Sequence, residues 1–192
     1  MREGHCAEYF HDSVSTDDCE LLDINVGMAE SQQVVESLTM LIALRIWAPE
    51  WQQFRSSVAV RGDNITMLSM LAHFKGSTPS LNLLAREVAL DVANAAYRPV
   101  RAEHIPGVAN TVADVLSRWH MPGSARALPE CLAGCTRVEV PARARSWYRS
   151  LVPPGDPPSA CGVDVGSAVW QWKRCQSLCA PSGGGSPTGE NW

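Results

Sequence analysis

Three acidic residues occupy places where a carboxylate needs a reason. Glu36 lies near the start of an apolar helical stretch, with Met40, Ala43 and Trp47 following it on the same stripe. Asp63 follows a strand-like run at its carboxyl end, the place where open α/β sheets gather ligands. Asp114 sits one turn inside a short helical pattern, although Asp is a poor residue for a helix interior. Each also has an ordinary reading. A glutamate in a first turn is favoured by the helix dipole, and Asp114 suits an exposed acid near a helix start for the same reason. An aspartate beside a helix cap suits a turn. Together the three point to one chemistry. Two divalent cations can clamp the attacking and leaving oxygens of a phosphodiester. Mg²⁺ prefers oxygen and keeps several waters, so it needs only a few convergent carboxylates. A glutamate on a helix, an aspartate at a strand end and an aspartate on a later helix could converge in this way.

The surrounding pattern predicts the elements that must hold these side chains. Residues 5–10 read as a short strand, and the polar, acidic run 11–30 as a loop. A helix is expected from Ser31, as its cap, to Trp47, with Pro49 just beyond. Residues 57–61 alternate and read as a strand. Asn64 is expected to cap a helix that Lys75-Gly76 stops. Thr78-Pro79 opens another, to about Ala96. Val100 to Ile105 reads as a second strand, and Asn110 as the cap of a last helix reaching Trp119. The order strand, helix, strand, helix, helix, strand, helix predicts an α/β layer fold with a parallel strand pair. Three regions follow: an N-terminal strand and acidic loop (1–30), a core (31–119), and a Pro/Gly/Ser-rich, largely disordered tail (120–192) with a short helical piece near 146–151.

Composition narrows the function classes. The 192-residue chain carries a net charge of −4. This argues against broad electrostatic adhesion to nucleic acid, but not against a metal-dependent nuclease, whose site is itself acidic. Seven cysteines, an odd count without a signal-like N-terminus, predict reduced thiols inside a cell. The longest apolar stretch, Leu38 to Trp47, is too short to span a bilayer. An intracellular, soluble protein of cytoplasm or nucleus is expected, with no membrane partner.

The motifs themselves resemble a known family. Residues 35–44 (VESLTMLIAL), Arg61-Gly62-Asp63-Asn64 and residues 104–118 (HIPGVANTVADVLSR) occur in the order found in the ribonuclease H domain of retrotransposon polyproteins, of Ty3/gypsy or DIRS type. The third motif is the most specific, and the resemblance covers roughly residues 5–119. It implies a ribonuclease H-like fold and a hydrolase, an endonuclease that cuts RNA in RNA–DNA hybrids with Mg²⁺ or Mn²⁺. Glu36, Asp63 and Asp114 match three of the family's four acids, as catalytic and metal-binding residues.

The chain also departs from the family. The family's first acid lies on the first of three antiparallel strands. Residues 5–10 correspond to the third, so the strands matching the first two are missing and the fold is expected to be incomplete. Asp12, Asp17, Asp18 and Asp23 stand in the wrong context to substitute. The expectation is therefore an N-terminally truncated ribonuclease H-like domain, weakly active or inactive alone, with a reverse-transcriptase segment upstream in a full-length element. An active nuclease that finds its first acid elsewhere in the chain is a second reading. A non-enzymatic nucleic-acid-binding or protein-interaction module derived from such an element is a third.

Other features carry less. Cys131-x₃-Cys135 and Cys175-x₃-Cys179 lack the usual zinc spacing, and only His120 lies near them. His104 reads as a structural strand-end residue. The arginines at 137, 143, 145 and 149 read as a solvated basic segment, with nucleic-acid contact as the alternative.

Overall fold

The computed structural model describes residues 8–50, 58–94, 100–124 and 126–151. It is a mixed α/β structure with two small parallel sheets. β2 (Ala59–Gly62) pairs with β3 (Arg101–His104) in parallel, with Val60 opposite Ala102 and Gly62 opposite His104. The parallel pair expected from the strand-helix alternation is therefore present, and an Arg61–Glu103 ion pair at 2.7 Å bridges it. Two helices connect these strands. α3 (Ile65–His73) starts at Asn64, whose side chain accepts a hydrogen bond from Met67 N at 3.0 Å. It ends one residue before the expected Lys75-Gly76 stop, where Phe74 takes left-handed φ 51°. Gly76 serves instead in a close approach: a Cβ there would lie 2.3 Å from the Leu81 backbone. α4 (Pro79–Asn94) follows, with Thr78 Oγ1 accepting from Leu81 N as its pattern predicts. The strand expected near residue 57 and the helix end expected near Ala96 fall partly outside the described residues.

α2 (Ala29–Ile46) packs against α3 and α4. Leu38, Leu41, Leu68, Leu71, Leu84 and Val88 meet between them and form the centre of the core. Burying each such side chain is worth about 1.5–3 kcal/mol. Ser31 is not the cap. The helix begins at Ala29, and Ser31 Oγ accepts from Asn25 N at 2.9 Å, tying down the preceding turn.

Two expectations about the ends of the core do not hold. The run 11–30 is not all loop: α1 (Thr16–Leu22) lies within it. Its cause is a capping box, in which Ser15 Oγ accepts from Asp18 N and Asp18 Oδ2 accepts from Ser15 N. β1 (Glu8–Tyr9) is the segment matched to the third strand of the family's trio, whose first two strands are expected to be missing. It pairs in parallel with β4 (Thr136–Arg137), more than a hundred residues away. Residues 126–151 are thus folded onto the core, with Leu132 and Tyr148 fully buried. The domain boundary expected at 119 cuts through this packing. The rest of the expected tail, 152–192, lies outside the described residues. The short helical piece near 146–151 is present as two 3₁₀ turns, Arg145–Trp147 and Arg149–Leu151. No helix of the described residues is long and apolar enough to cross a membrane.

Candidate functional site

The parallel strand pair brings the second and third motifs side by side. The ladder continues one step past β2, where Ile105 N donates to Gly62 O at 2.9 Å. That bond lays residues 105–110 against Asp63. Gly107 passes close to the carboxylate: a Cβ there would sit 3.2 Å from Asp63 Oδ2. Asn110 Nδ2 donates to Asp63 Oδ1 at 2.9 Å. Asn110 thus stands at the start of α5 (Thr111–Ser117), but its side chain does not cap that helix. A cap would need Asn110 Oδ1 as acceptor; the Nδ2 donor goes to Asp63, and the side chain makes no bond to the helix N–H groups.

Glu36 reaches the same place from α2. Gln32, Gln33, Glu36, Asp63, Asn64 and Thr66 line one open groove of about 390 Å³. Glu36 is half-buried, and its Oε1 accepts from Gln32 Nε2 at 3.0 Å, one turn earlier. Asp63 is exposed. The groove therefore offers two carboxylates, each oriented by a neutral amide and each with an oxygen left for another partner. Hard oxygen donors of this kind suit Mg²⁺ or Mn²⁺.

Asp114 is placed differently. It does not line this groove, and Arg118 holds it through Nη2 at 2.8 Å and Nε at 3.0 Å. Both side chains are largely exposed, 55% and 65%. Of the three acids singled out by sequence, the structure brings Glu36 and Asp63 together and leaves Asp114 one helical turn beyond Asn110. Among the described residues no group of three or more His, Cys, Asp or Glu side chains is gathered closely enough to hold a metal ion. His104 ends β3 opposite Gly62 and is exposed.

A second set of charges lies outside the residues that line this groove, and sequence reasoning missed it. Asp18 is fully buried. Its carboxylate accepts from Arg143 Nε at 2.9 and 3.1 Å, pairs with Arg143 Nη2 at 2.8 Å, and accepts from Tyr148 Oη at 3.1 Å. Arg143 also reaches Asp12 at 2.8 Å. Burial pushes the Asp18 pKa up, but the Arg143 and Ser15 hydrogen bonds outweigh it and hold the carboxyl below its ordinary range. Burial likewise opposes the charge on Arg143, and Asp18 and Asp12 reverse that, so the guanidinium stays charged. Tyr148 is shifted upward by burial and by the neighbouring Asp18, so it remains a donor.

Glu87 repeats the scheme on α4. It is fully buried and accepts from Arg45 Nη2 at 2.6 Å and from the backbone N–H groups of Arg149 and Ser150. Burial raises its pKa, and the bonds from Ser150 and Arg45 more than offset this. Arg45 also pairs with Asp91, donates to Trp147 O and stacks over the Trp147 ring at 4.2 Å. The arginines at 143 and 149 are therefore structural: one is buried, and the other pairs with Asp91 at 3.2 Å. The one available signal was Ser15-x-x-Asp18, a helix-start pattern hidden in an acidic run.

Compared with models of known protein families, with curated proteins and with solved structures, the chain matches none.

Proposed function

We propose that this chain is a retroelement-derived ribonuclease H-like domain, weakly active or inactive by itself, whose parent activity is metal-dependent hydrolysis of RNA in RNA–DNA hybrids. One observation carries this reading. The strand pair joins the Arg61-Gly62-Asp63-Asn64 motif to the residue 104–118 motif through the Asn110–Asp63 bond, and Glu36 of the first motif faces Asp63 across one groove. Three motifs that are separate in sequence are thereby gathered at the carboxyl end of a parallel strand, where ligands of such sheets collect.

Each residue has a stated part. Glu36 and Asp63 would hold a divalent cation between them, and Asp114 would join once Arg118 releases it. Such a cation supplies a polarised water and neutralises charge on the phosphodiester. Asn110 fixes the Asp63 carboxylate through one oxygen and leaves the other toward Gly107, where an added Cβ would be a tight contact at 3.2 Å. Gln32 orients Glu36. Weak activity is expected because the family's first acid has no counterpart among the matched motifs.

A non-enzymatic interaction module is favoured by a different feature. α5 buries none of its residues, and Val108 just before it is 88% exposed.

Mn²⁺ binding, read by electron paramagnetic resonance, tests the first reading without relying on turnover. Asp63→Asn and Glu36→Gln are each expected to weaken binding at least about tenfold, the effect of losing a charged ligand from a two-carboxylate site. Any Mg²⁺-dependent cleavage of an RNA–DNA hybrid should vanish in Asp63→Asn. Unchanged Mn²⁺ affinity in both variants overturns the reading and leaves the interaction module.

A further inference from the structure

Away from the groove, two histidines meet ring to ring. His11 Nδ1 lies 3.0 Å from His120 Nε2, although 109 residues separate them in sequence. His11 follows β1, and His120 follows the last turn of the third motif. His11 is only 7% exposed, whereas His120 faces solvent. The Trp119 ring packs on His11 with centroids 4.8 Å apart, and Tyr9 stacks near it at 6.3 Å. The His11 imidazole is therefore held in orientation, with its Nδ1 directed at a solvent-accessible partner.

A spacing of 3.0 Å fits a shared proton, with one ring donating and the other accepting. It also fits two ligands of one metal ion. Imidazole nitrogens bound at 2.0–2.1 Å on adjacent corners of a tetrahedron stand about 3.3 Å apart. Conversion to the second arrangement requires the bridging proton to leave and the rings to pivot by about 35° so that both nitrogen lone pairs converge on the ion, a turn open to the exposed His120 ring. We propose that His11 and His120 form a two-imidazole site for a borderline transition-metal ion of the Zn²⁺, Ni²⁺ or Cu²⁺ class, with water filling the remaining positions.

The surroundings favour the ligating form. The His11 ring is buried and fixed by Trp119 and Tyr9, while His120 at the surface is accessible to an incoming ion. Charge sets the strength. Asp12 favours a cation beside the pair, though Arg143 already holds one of its oxygens, and Arg137, whose Nη2 donates to His11 O at 3.4 Å, opposes it. The balance points to modest affinity and to nitrogen-preferring ions, so Mg²⁺ does not compete. A bound ion would clip the segment after α5 onto the flank of β1. It would stabilise the folded chain by mass action, because the unfolded chain does not preform the pair.

The full-length chain titrated with Ni²⁺ alone tests this. Calorimetry is expected to give one ion per chain, and excess Ni²⁺ to raise the thermal midpoint by about 4 °C or more. His120→Ala, at an exposed position, should fold normally and lose both effects. Cys131→Ser and Cys135→Ser should keep both. Cu²⁺ added to the wild type should show two coordinated imidazole nitrogens by electron paramagnetic resonance. The proposal is overturned if the wild type binds no Ni²⁺, if His120→Ala binds it as tightly, or if the cysteine variants abolish binding. None of these outcomes depends on Glu36 or Asp63, so the site stands or falls separately from the nuclease reading.

Discussion

Asp63 and Asp18 are both aspartates beside a helix start, and they sit in opposite surroundings. Asp63 is exposed, lines the groove, and accepts one neutral amide from Asn110 through one of its two oxygens. Asp18 is fully buried and is bound by an arginine, a tyrosine hydroxyl and a backbone N–H. The same contrast separates Glu36 from Glu87. In the groove, carboxylates keep unused acceptor capacity at the surface, which suits a cation that arrives with its own waters. In the buried network, that capacity is spent on the protein, because a buried carboxylate without partners would be very costly. An acid poised for a ligand therefore looks incomplete, and an acid that holds the fold looks saturated.

Breaking the buried side should produce the largest effects. Arg143→Met leaves Asp18 buried without its cation and is expected to cost about 3–5 kcal/mol, read by urea denaturation. Adding Asp18→Asn to that variant should recover part of the loss. A double variant no better than the single would mean that Arg143 acts through packing alone.

Glu87→Gln is expected to cost about 1.5–3 kcal/mol, since it weakens charge-assisted bonds from Arg45 while keeping the volume. Acid should erode the same network. Asp18 and Glu87 have folded pKa values below their ordinary 3.8 and 4.5. The unfolded chain then binds more protons in acid, so their contribution is complete above those ordinary values. It is lost as pH falls through the lower folded ones. Urea midpoints measured from pH 6 down to pH 3 should therefore decline, and the decline should be shallower in Arg143→Met. Parallel curves would detach the acid sensitivity from Asp18.

The groove should respond in the opposite sense. Asp63→Asn is expected to shift stability by no more than about 0.5 kcal/mol, because the site is exposed, while weakening Mn²⁺ binding. A large loss of stability there would erase the contrast between the two regions. Smallest of all, Arg118→Ala should cost about 0.3–0.5 kcal/mol, as an exposed i,i+4 pair. Its value lies in freeing Asp114, which should strengthen Mn²⁺ binding if that acid serves the groove.

Much of the architecture was legible because it rests on local periodicity. The apolar stripes of α2, α3 and α4, the Asn64 and Thr78-Pro79 starts and the two strands all lie within windows of a few residues. Asp63 was legible for the same reason, since a strand end followed by a cap is a local pattern. Asn110 shows where that reasoning stops. Its position before a helix reads as a cap, and only the β2–β3 register reveals that Asp63 is the partner. Residues 126–151 were misjudged because they show no period. Their order comes from a few anchors, Leu132, Arg143 and Tyr148, whose partners lie far away in sequence.

The sequence by itself determined that the segments of α2 to α5, β2 and β3 become helices and strands, and where Asp63 falls relative to its strand. Side-chain spacing and capping act over one or two turns, and no tertiary partner is needed to read them. Only the tertiary structure decided which acids are open and which are saturated. Hydrogen-bond satisfaction of a carboxylate depends on what long-range packing brings beside it: Arg143 to Asp18, Arg45 to Glu87, Asn110 to Asp63, and His120 to His11.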